Sequence, residues 1–324
     1  MKSVVTGAGG FVGHHLVSYL KKKGHEVIAI DIKEPEFARS EASKFILQDL
    51  REPVKKIQPL FEGADQVWAL AADMGGMGFI SQNHAYCMSN NVTINIQTLE
   101  AARNARVKRY LYTSTACVYP HHLQLTPDVT PLAEYMAYPA GPQDGYGWEK
   151  LYTEKLCQYY RLEYGLETRI VRFHTMYGPL GTWTGGKEKS PAALCRKVAE
   201  AVLTGGNSIE IWGDGEQTRT FCYVDDTLKG LDGIMNSDYS DPINLGRDEM
   251  VTINELADVI MKVAGVKLKK TYVEGPQGVR GRNSDNTLCR EILAWSPEID
   301  LETGLRLTYP WILKEVRQAL EIKK

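Results

Sequence analysis

A glycine-rich turn set between an apolar segment and an amphipathic one constrains this chain most. Ser3-Val4-Val5-Thr6 reads as a strand, Gly7-Ala8-Gly9-Gly10-Phe11-Val12-Gly13 as a tight turn, and residues 11–23 as a helix closed by Gly24. Gly7, Gly9, Gly10 and Gly13 let backbone N–H groups approach an anion closely, and the helix dipole favours negative charge at that end. The next strand, residues 26–31, ends at Asp31. A carboxylate roughly twenty residues after such a turn can accept from ribose hydroxyls and would repel a 2′-phosphate. Turn and carboxylate together predict a dinucleotide site for NAD rather than NADP.

Apolar runs recur at residues 66–72, 109–114 and 168–173, with a helix predicted over 90–104. Their lack of polar alternation implies strands buried on both faces of a parallel sheet. The βαβα order predicts an α/β chain with a Rossmann-type doubly wound parallel sheet. After Phe173 the pattern changes. Residues 177–190 are rich in Gly and Pro and read as a loop, and Pro191 opens a helix to about Thr204. Segments 221–226 and 241–246 return towards the sheet, and Thr252 with Glu255 has the spacing of a helix capping box. We expect an NAD-binding domain over 1–173, with returning segments near 220–246. Residues 174–324 then form mainly a smaller, discontinuous substrate-binding lobe.

Composition excludes several classes. A net charge of −2 over 324 residues gives no electrostatic case for nucleic acid or an anionic membrane. No apolar run reaches the roughly 18–20 residues of a membrane span. The first strand begins by Ser3, which is expected to leave no room for a leader. Six scattered cysteines without a Cys-x-x-Cys pair suggest reduced thiols in a cytoplasm, and neither they nor the histidines have metal-ligand spacing. No metal is expected.

Three further segments carry reactive groups: Thr115-Ala116-Cys117, Tyr146-Gly147-Trp148-Glu149-Lys150, and Gly185-Gly186-Lys187-Glu188-Lys189. Tyr146 and Lys150 lie one helical turn apart on one face. That spacing suits a phenol acting as base beside a cation that favours phenolate and holds a nicotinamide ribose. A cysteine and a lysine in addition suit moving protons on carbon. Each has a plainer reading, in which Tyr146 and Lys150 are a surface pair, Cys117 packs in the core and Lys189 is solvated.

Taken together these residues resemble the extended short-chain dehydrogenase/reductase family over nearly the whole chain. Within it they are similar to the branch that epimerises GDP-mannose at C3 and C5. The segments that carry the closer likeness are Ala71-Ala72-Asp73-Met74-Gly75-Gly76-Met77-Gly78-Phe79-Ile80, Gly178-Pro179-Leu180-Gly181-Thr182-Trp183, Cys195-Arg196-Lys197, Trp212-Gly213-Asp214-Gly215-Glu216-Gln217-Thr218-Arg219 and Gly278-Val279-Arg280-Gly281-Arg282-Asn283-Ser284-Asp285-Asn286. The resemblance implies that Tyr146 is the base for a sugar hydroxyl, Lys150 acts on NAD, and Thr115 polarises a transient ketone. It implies Cys117 as the base and Lys189 as the acid of epimerisation, and Asp49 beside the adenine. Gly75, Glu188, Lys197, Gln217, Arg219 and Arg282 match substrate-contacting positions. Thr175 stands where relatives usually carry asparagine, so a hydroxyl replaces an amide in the substrate site. The implied reaction converts GDP-D-mannose to GDP-L-galactose, with GDP-L-gulose from inversion at C5 alone. A homodimer through the helices near 90–104 and 146–160 is the family expectation. A nucleotide-sugar 4-epimerase and a non-catalytic NAD-binding protein are the alternatives.

Overall fold

The computed structural model describes residues 1–276 and 278–322. The first half alternates as the apolar runs require: β1 (Lys2–Thr6), α1 (Phe11–Lys22), β2 (Glu26–Asp31), β3 (Lys44–Leu47), a short α2 (Val54–Ile57), β4 (Gln66–Ala69), a single-turn α3 (Met77–Ile80), α4 (His84–Asn104), β5 (Arg109–Thr115), α5 (Gly145–Tyr164) and β6 (Glu167–Phe173). The second half contains β7 (Thr175–Tyr177), α6 (Ser190–Thr204), β8 (Ser208–Trp212), β9 (Thr218–Tyr223), α7 (Val224–Asn236), β10 (Pro242–Leu245), β11 (Met250–Thr252), α8 (Ile253–Ala264), β12 (Lys269–Val273), α9 (Thr287–Leu293) and α10 (Leu301–Ile322).

The main sheet is seven-stranded with the order β10-β6-β5-β4-β1-β2-β3, and every pairing in it is parallel. Successive side chains of a strand point to opposite faces, and both faces here are covered. Val5, Ala29, Trp68, Leu111 and Val171 pack on one side against Leu16, Val17 and Leu20 of α1 and Leu228, Leu231 and Ile234 of α7. Val4, Ile28, Val67, Tyr110 and Ile170 pack on the other against Leu99, Ala101 and Ala102 of α4 and Cys157 of α5. The predicted doubly wound sheet is therefore present. Its order reverses at β1, which pairs with both β2 and β4. A crevice opens at such a reversal, outside the carboxyl ends of the strands.

Some boundaries differ from expectation. The strand predicted over 66–72 ends at Ala69, and α4 begins at His84 rather than near Asn90. The edge strand β3 was not expected. Of the two returning segments, β10 joins the main sheet beside β6, whereas β9 pairs with β7 and β11 in a separate three-stranded sheet. β12 and β8 pair in a further two-stranded sheet. The Thr252 capping box forms as predicted: the hydroxyl accepts from Glu255 N at 3.0 Å, and Thr252 N donates to the Glu255 carboxylate at 2.7 Å. Among the described residues no helix is long and apolar enough to cross a membrane, and no group of three or more His, Cys, Asp or Glu could hold a metal ion.

Candidate active site

The glycine turn occupies the crevice at the sheet reversal. Gly7 has φ 71°, and a Cβ on it would lie 2.7 Å from the backbone of Leu70 and Ala71 at the end of β4. A Cβ on Gly9 would meet the Lys33 carbonyl at 2.2 Å, and one on Gly13 would meet that of Gly7 at 2.1 Å. Bare glycine is what permits this closeness. Gly10 precedes α1, and no side chain caps that helix, which leaves backbone N–H groups at its start for a phosphate. Asp31 stands at the tip of β2, where Gly9 N donates to it at 2.8 Å and Lys33 N at 3.2 Å. Burial pushes its carboxyl up, and those two N–H groups oppose the shift. A crevice lined by Gly9, Gly10, Phe11, His14, Lys33 and Leu180 lies in front. A turn closed to side chains, an open helix terminus and a carboxylate at the second strand fit a dinucleotide without a 2′-phosphate. Asp49 is chelated by Arg51 through bonds of 3.0 and 2.7 Å, which holds its carboxyl below the usual range.

Tyr146 is placed by the first turn of α5. Asp144 caps that helix, accepting from Gly147 N at 2.8 Å. A Cβ on Gly147 would lie 2.2 Å from the Cys117 carbonyl, so glycine here lets the helix start press against the Cys117 turn. Lys150 is buried one turn on, donates to Thr113 O at 2.9 Å, and lies over the rings of Tyr112 and Tyr146 at 4.8 and 5.6 Å. Burial, followed by Cys117, Glu149 and Asp144, pushes the Tyr146 phenol up, and a hydrogen bond with Thr115 opposes this. Burial pulls Lys150 down in turn, against the attraction of Glu149.

Cys117 sits half-buried in the turn that follows β5, its N–H donating to the Thr115 hydroxyl at 3.3 Å. Three cations gather about the thiol. Arg282 donates to its sulfur at 3.3 Å and to Gln124 at 2.6 Å. Lys189, at the start of α6, interacts electrostatically with Cys117 and Arg282, and burial lowers its pKa. Arg219 donates to the carbonyls of Thr218 and Val279, both at 2.7 Å, and is pulled down to about 9 by burial and then by Arg282.

The remaining predicted residues lie on separate segments. Gly75 packs against Lys187, with Cβ room only to 3.2 Å, and Gly76 N donates to the Lys187 carbonyl at 3.1 Å. Glu188 accepts from Gly186 N at 2.7 Å and from Arg196 at 3.3 Å. Lys197 and Gln217 gather on β8: Lys197 donates to Glu210 O at 2.8 Å and Gln217 to Trp212 O at 3.0 Å. Thr175 lies on β7, paired with Phe221. Sequence reasoning missed Gln124, which braces Arg282, and Glu149 and Asn91, which meet at 2.9 Å beside Lys150. Gln124 belongs to no motif, whereas Glu149 was exposed to notice by its place inside Tyr-x-x-x-Lys.

Fold and crevice fit a class of α/β enzymes that work with NAD, and the comparison with known proteins agrees. The chain belongs to the NAD dependent epimerase/dehydratase family, whose model matches residues 3–246. Among individual relatives, it is 47% identical to GDP-mannose 3,5-epimerase of Arabidopsis thaliana over 98% of this chain and 84% of that protein. It is 48% identical to GDP-mannose 3,5-epimerase 1 of Oryza sativa subsp. japonica over 97% and 82%. UDP-glucose 4-epimerase of Thermotoga maritima, solved with UDP-glucose, superposes with a TM-score of 0.87 at 26% identity, covering 98% of this chain and all of that one. UDP-glucuronic acid 4-epimerase of Bacillus cereus, solved with UDP-glucuronic acid and NAD, gives 0.78 at 26% identity over 97% and 100%.

Proposed function

We propose that this protein epimerises GDP-D-mannose at C3 and C5 to GDP-L-galactose, with GDP-L-gulose formed by inversion at C5 alone. The observation that carries the reading is Cys117, which interacts electrostatically with both Tyr146 and Lys189. Hydride chemistry and proton exchange thus share one space.

A sugar C–H at C3 or C5 is far too weak an acid for a side chain to ionise. Oxidation at C4 makes both carbons α to a carbonyl, and donors at the oxygen then stabilise an enolate. NAD, when bound, supplies the acceptor and later the donor of the C4 hydride. Tyr146 acts once its phenol is ionised: as phenolate beside the Lys150 ammonium it takes the C4 hydroxyl proton and returns it, Lys150 holds the nicotinamide ribose, and the Thr115 hydroxyl donates to the ketone oxygen. Cys117 removes the α proton and Lys189 delivers one to the opposite face, since inversion needs two opposed groups. Burial lowers Lys189, which makes it a readier donor than a solvated lysine. Arg219 and Arg282 suit a diphosphate through bidentate guanidinium contacts. Gly75, Thr175, Glu188, Lys197 and Gln217 hold the rest of the GDP-sugar, and Gly7, Gly9, Gly10, Gly13, Asp31 and Asp49 hold NAD.

A homodimer is part of the same reading. Tyr86, Met88 and Ile96 of α4 and Trp148, Tyr152 and Tyr159 of α5 are exposed, and large apolar side chains exposed together favour association. A cytoplasmic setting is supported by six cysteines that remain free thiols.

The test is proton NMR of GDP-α-D-mannose with the protein in D2O. Deuterium at C3 and C5, with new L-configured sugars, is expected. Turnover without wash-in would replace this reading with a 4-epimerase, and no turnover would reject GDP-mannose as substrate.

A further inference from the structure

Glu149 is a fully buried carboxyl with no part in the reaction as described. It projects from α5 towards α4, where Asn91 donates to one oxygen at 2.9 Å and Asn95 to the other at 3.4 Å. The Asn91 amide is bound in turn to the backbone of Asp73, accepting from its N–H at 2.7 Å and donating to its carbonyl at 3.1 Å. Asp73 opens the turn that contains Gly75 and Gly76. Its own carboxylate accepts from Asn90 at 3.0 Å, and Asn90 accepts from Arg51, the partner of Asp49. One polar chain therefore runs from the Asp49 end of the crevice, through the Gly75 turn, to the residue beside Lys150.

We propose that Glu149 is a positioning residue whose carboxylate sustains the positive charge of Lys150 and, through Asn91, fixes the Asp73–Gly76 turn. Burial of an uncompensated ammonium is unfavourable, and the bond to Thr113 O is to a neutral acceptor. Glu149 is the foremost charge favouring the protonated form of Lys150, with Cys157 and Glu154 behind it. The other ionisable groups that feel Glu149 are Tyr146 on its own helix, Tyr112 on β5 and Cys87 on α4. Each of these is neutral in its usual form, so Lys150 is the cation that answers the carboxylate. Glu149 itself is raised to about 7, mainly by burial, and is a carboxylate above that pH.

The inference rests on Lys150 holding the nicotinamide ribose and not on the identity of the sugar. It is tested by NADH affinity, read by fluorescence from about pH 6 to about pH 10, for the wild-type protein and for E149Q and E149D. Glutamine still accepts from Asn91 but carries no charge. The expected result is an alkaline loss of affinity that begins about one pH unit lower in E149Q, with E149D restoring the wild-type profile. Superimposable profiles, or a loss equal at every pH, would overturn the proposal, because a purely structural side chain does not displace a titration. A wild-type profile with no alkaline fall would remove Lys150 from cofactor binding and the proposal with it. Since the assay contains no sugar nucleotide, rejection of GDP-mannose as substrate leaves its outcome intact.

Discussion

At the scale of single residues, the site separates into groups that local spacing reveals and groups that only folding assembles. Cys117→Ala should lose epimerisation by on the order of 10²–10⁴-fold, the usual worth of a general base. It should retain oxidation at C4, seen as transient NADH, while deuterium wash-in disappears; unchanged wash-in would end the base assignment. Glu149 gives a second expectation, in stability. Its carboxyl binds a proton more tightly folded than unfolded, with about 7 against a usual 4.5. The stabilisation is therefore fully present below about pH 4.5 and lost as pH rises through 7, a change of roughly 3 kcal/mol. Between about pH 4.5 and about pH 9 the melting temperature should fall more steeply for the wild type than for E149Q, which has no carboxyl to ionise at this position. Parallel profiles across this range would show that Glu149 titrates normally. Tyr146 and Lys150 were legible because a turn of helix relates them. The bond between Asn91 and Glu149 spans 58 residues and that between Gln124 and Arg282 spans 158, separations that carry no periodic signal.

At the scale of elements, what was readable was whatever is buried on both faces. β1, β2, β5 and β6 were found because their side chains meet packing on either side of the sheet. β3 was not, because Lys44 and Leu47 are exposed at the sheet edge and the run is short. The early start of α4 was hidden for a related reason: no side chain caps it, and its first turn faces outward. The capped α8 is the contrast. Thr252→Ala removes the hydroxyl that accepts from Glu255 N and should cost about 1 kcal/mol in thermal or denaturant unfolding. NADH affinity should be unchanged, since no residue of α8 lines the crevice. A loss of affinity would show that α8 communicates with the dinucleotide site.

For the whole molecule, the doubly wound parallel sheet covered on both faces followed from the alternation of runs, but its strand order and the pairing of β9 did not. Residues 221–223 are as apolar as any central strand, yet they are buried by the smaller sheet with β7 and β11. Composition alone does not distinguish the two destinations. The exposed face of α4 and α5 yields the expectation at this scale. Trp148, Tyr152 and Tyr159 fall on one face of α5 by helical spacing. Placing Glu at both Tyr152 and Tyr159 should convert a dimer to a monomer in sedimentation velocity without altering the fold by circular dichroism. A wild-type protein that already sediments as a monomer would refute the interface.

The contact between Cys117 and Arg282 has a consequence for how the protein is made. A ribosome releases the chain from its amino end, so every residue of the glycine turn, Asp31, Tyr146 and Lys150 emerges before β10 closes the edge of the sheet at Leu245. The guanidinium that meets the thiol comes later still. During that interval the nascent polypeptide carries the residues of the dinucleotide turn while its thiol lacks one of its three neighbouring charges. Synthesis thus orders the thiol and its cations in time: Cys117 is translated first, and Lys189, Arg219 and Arg282 follow in turn.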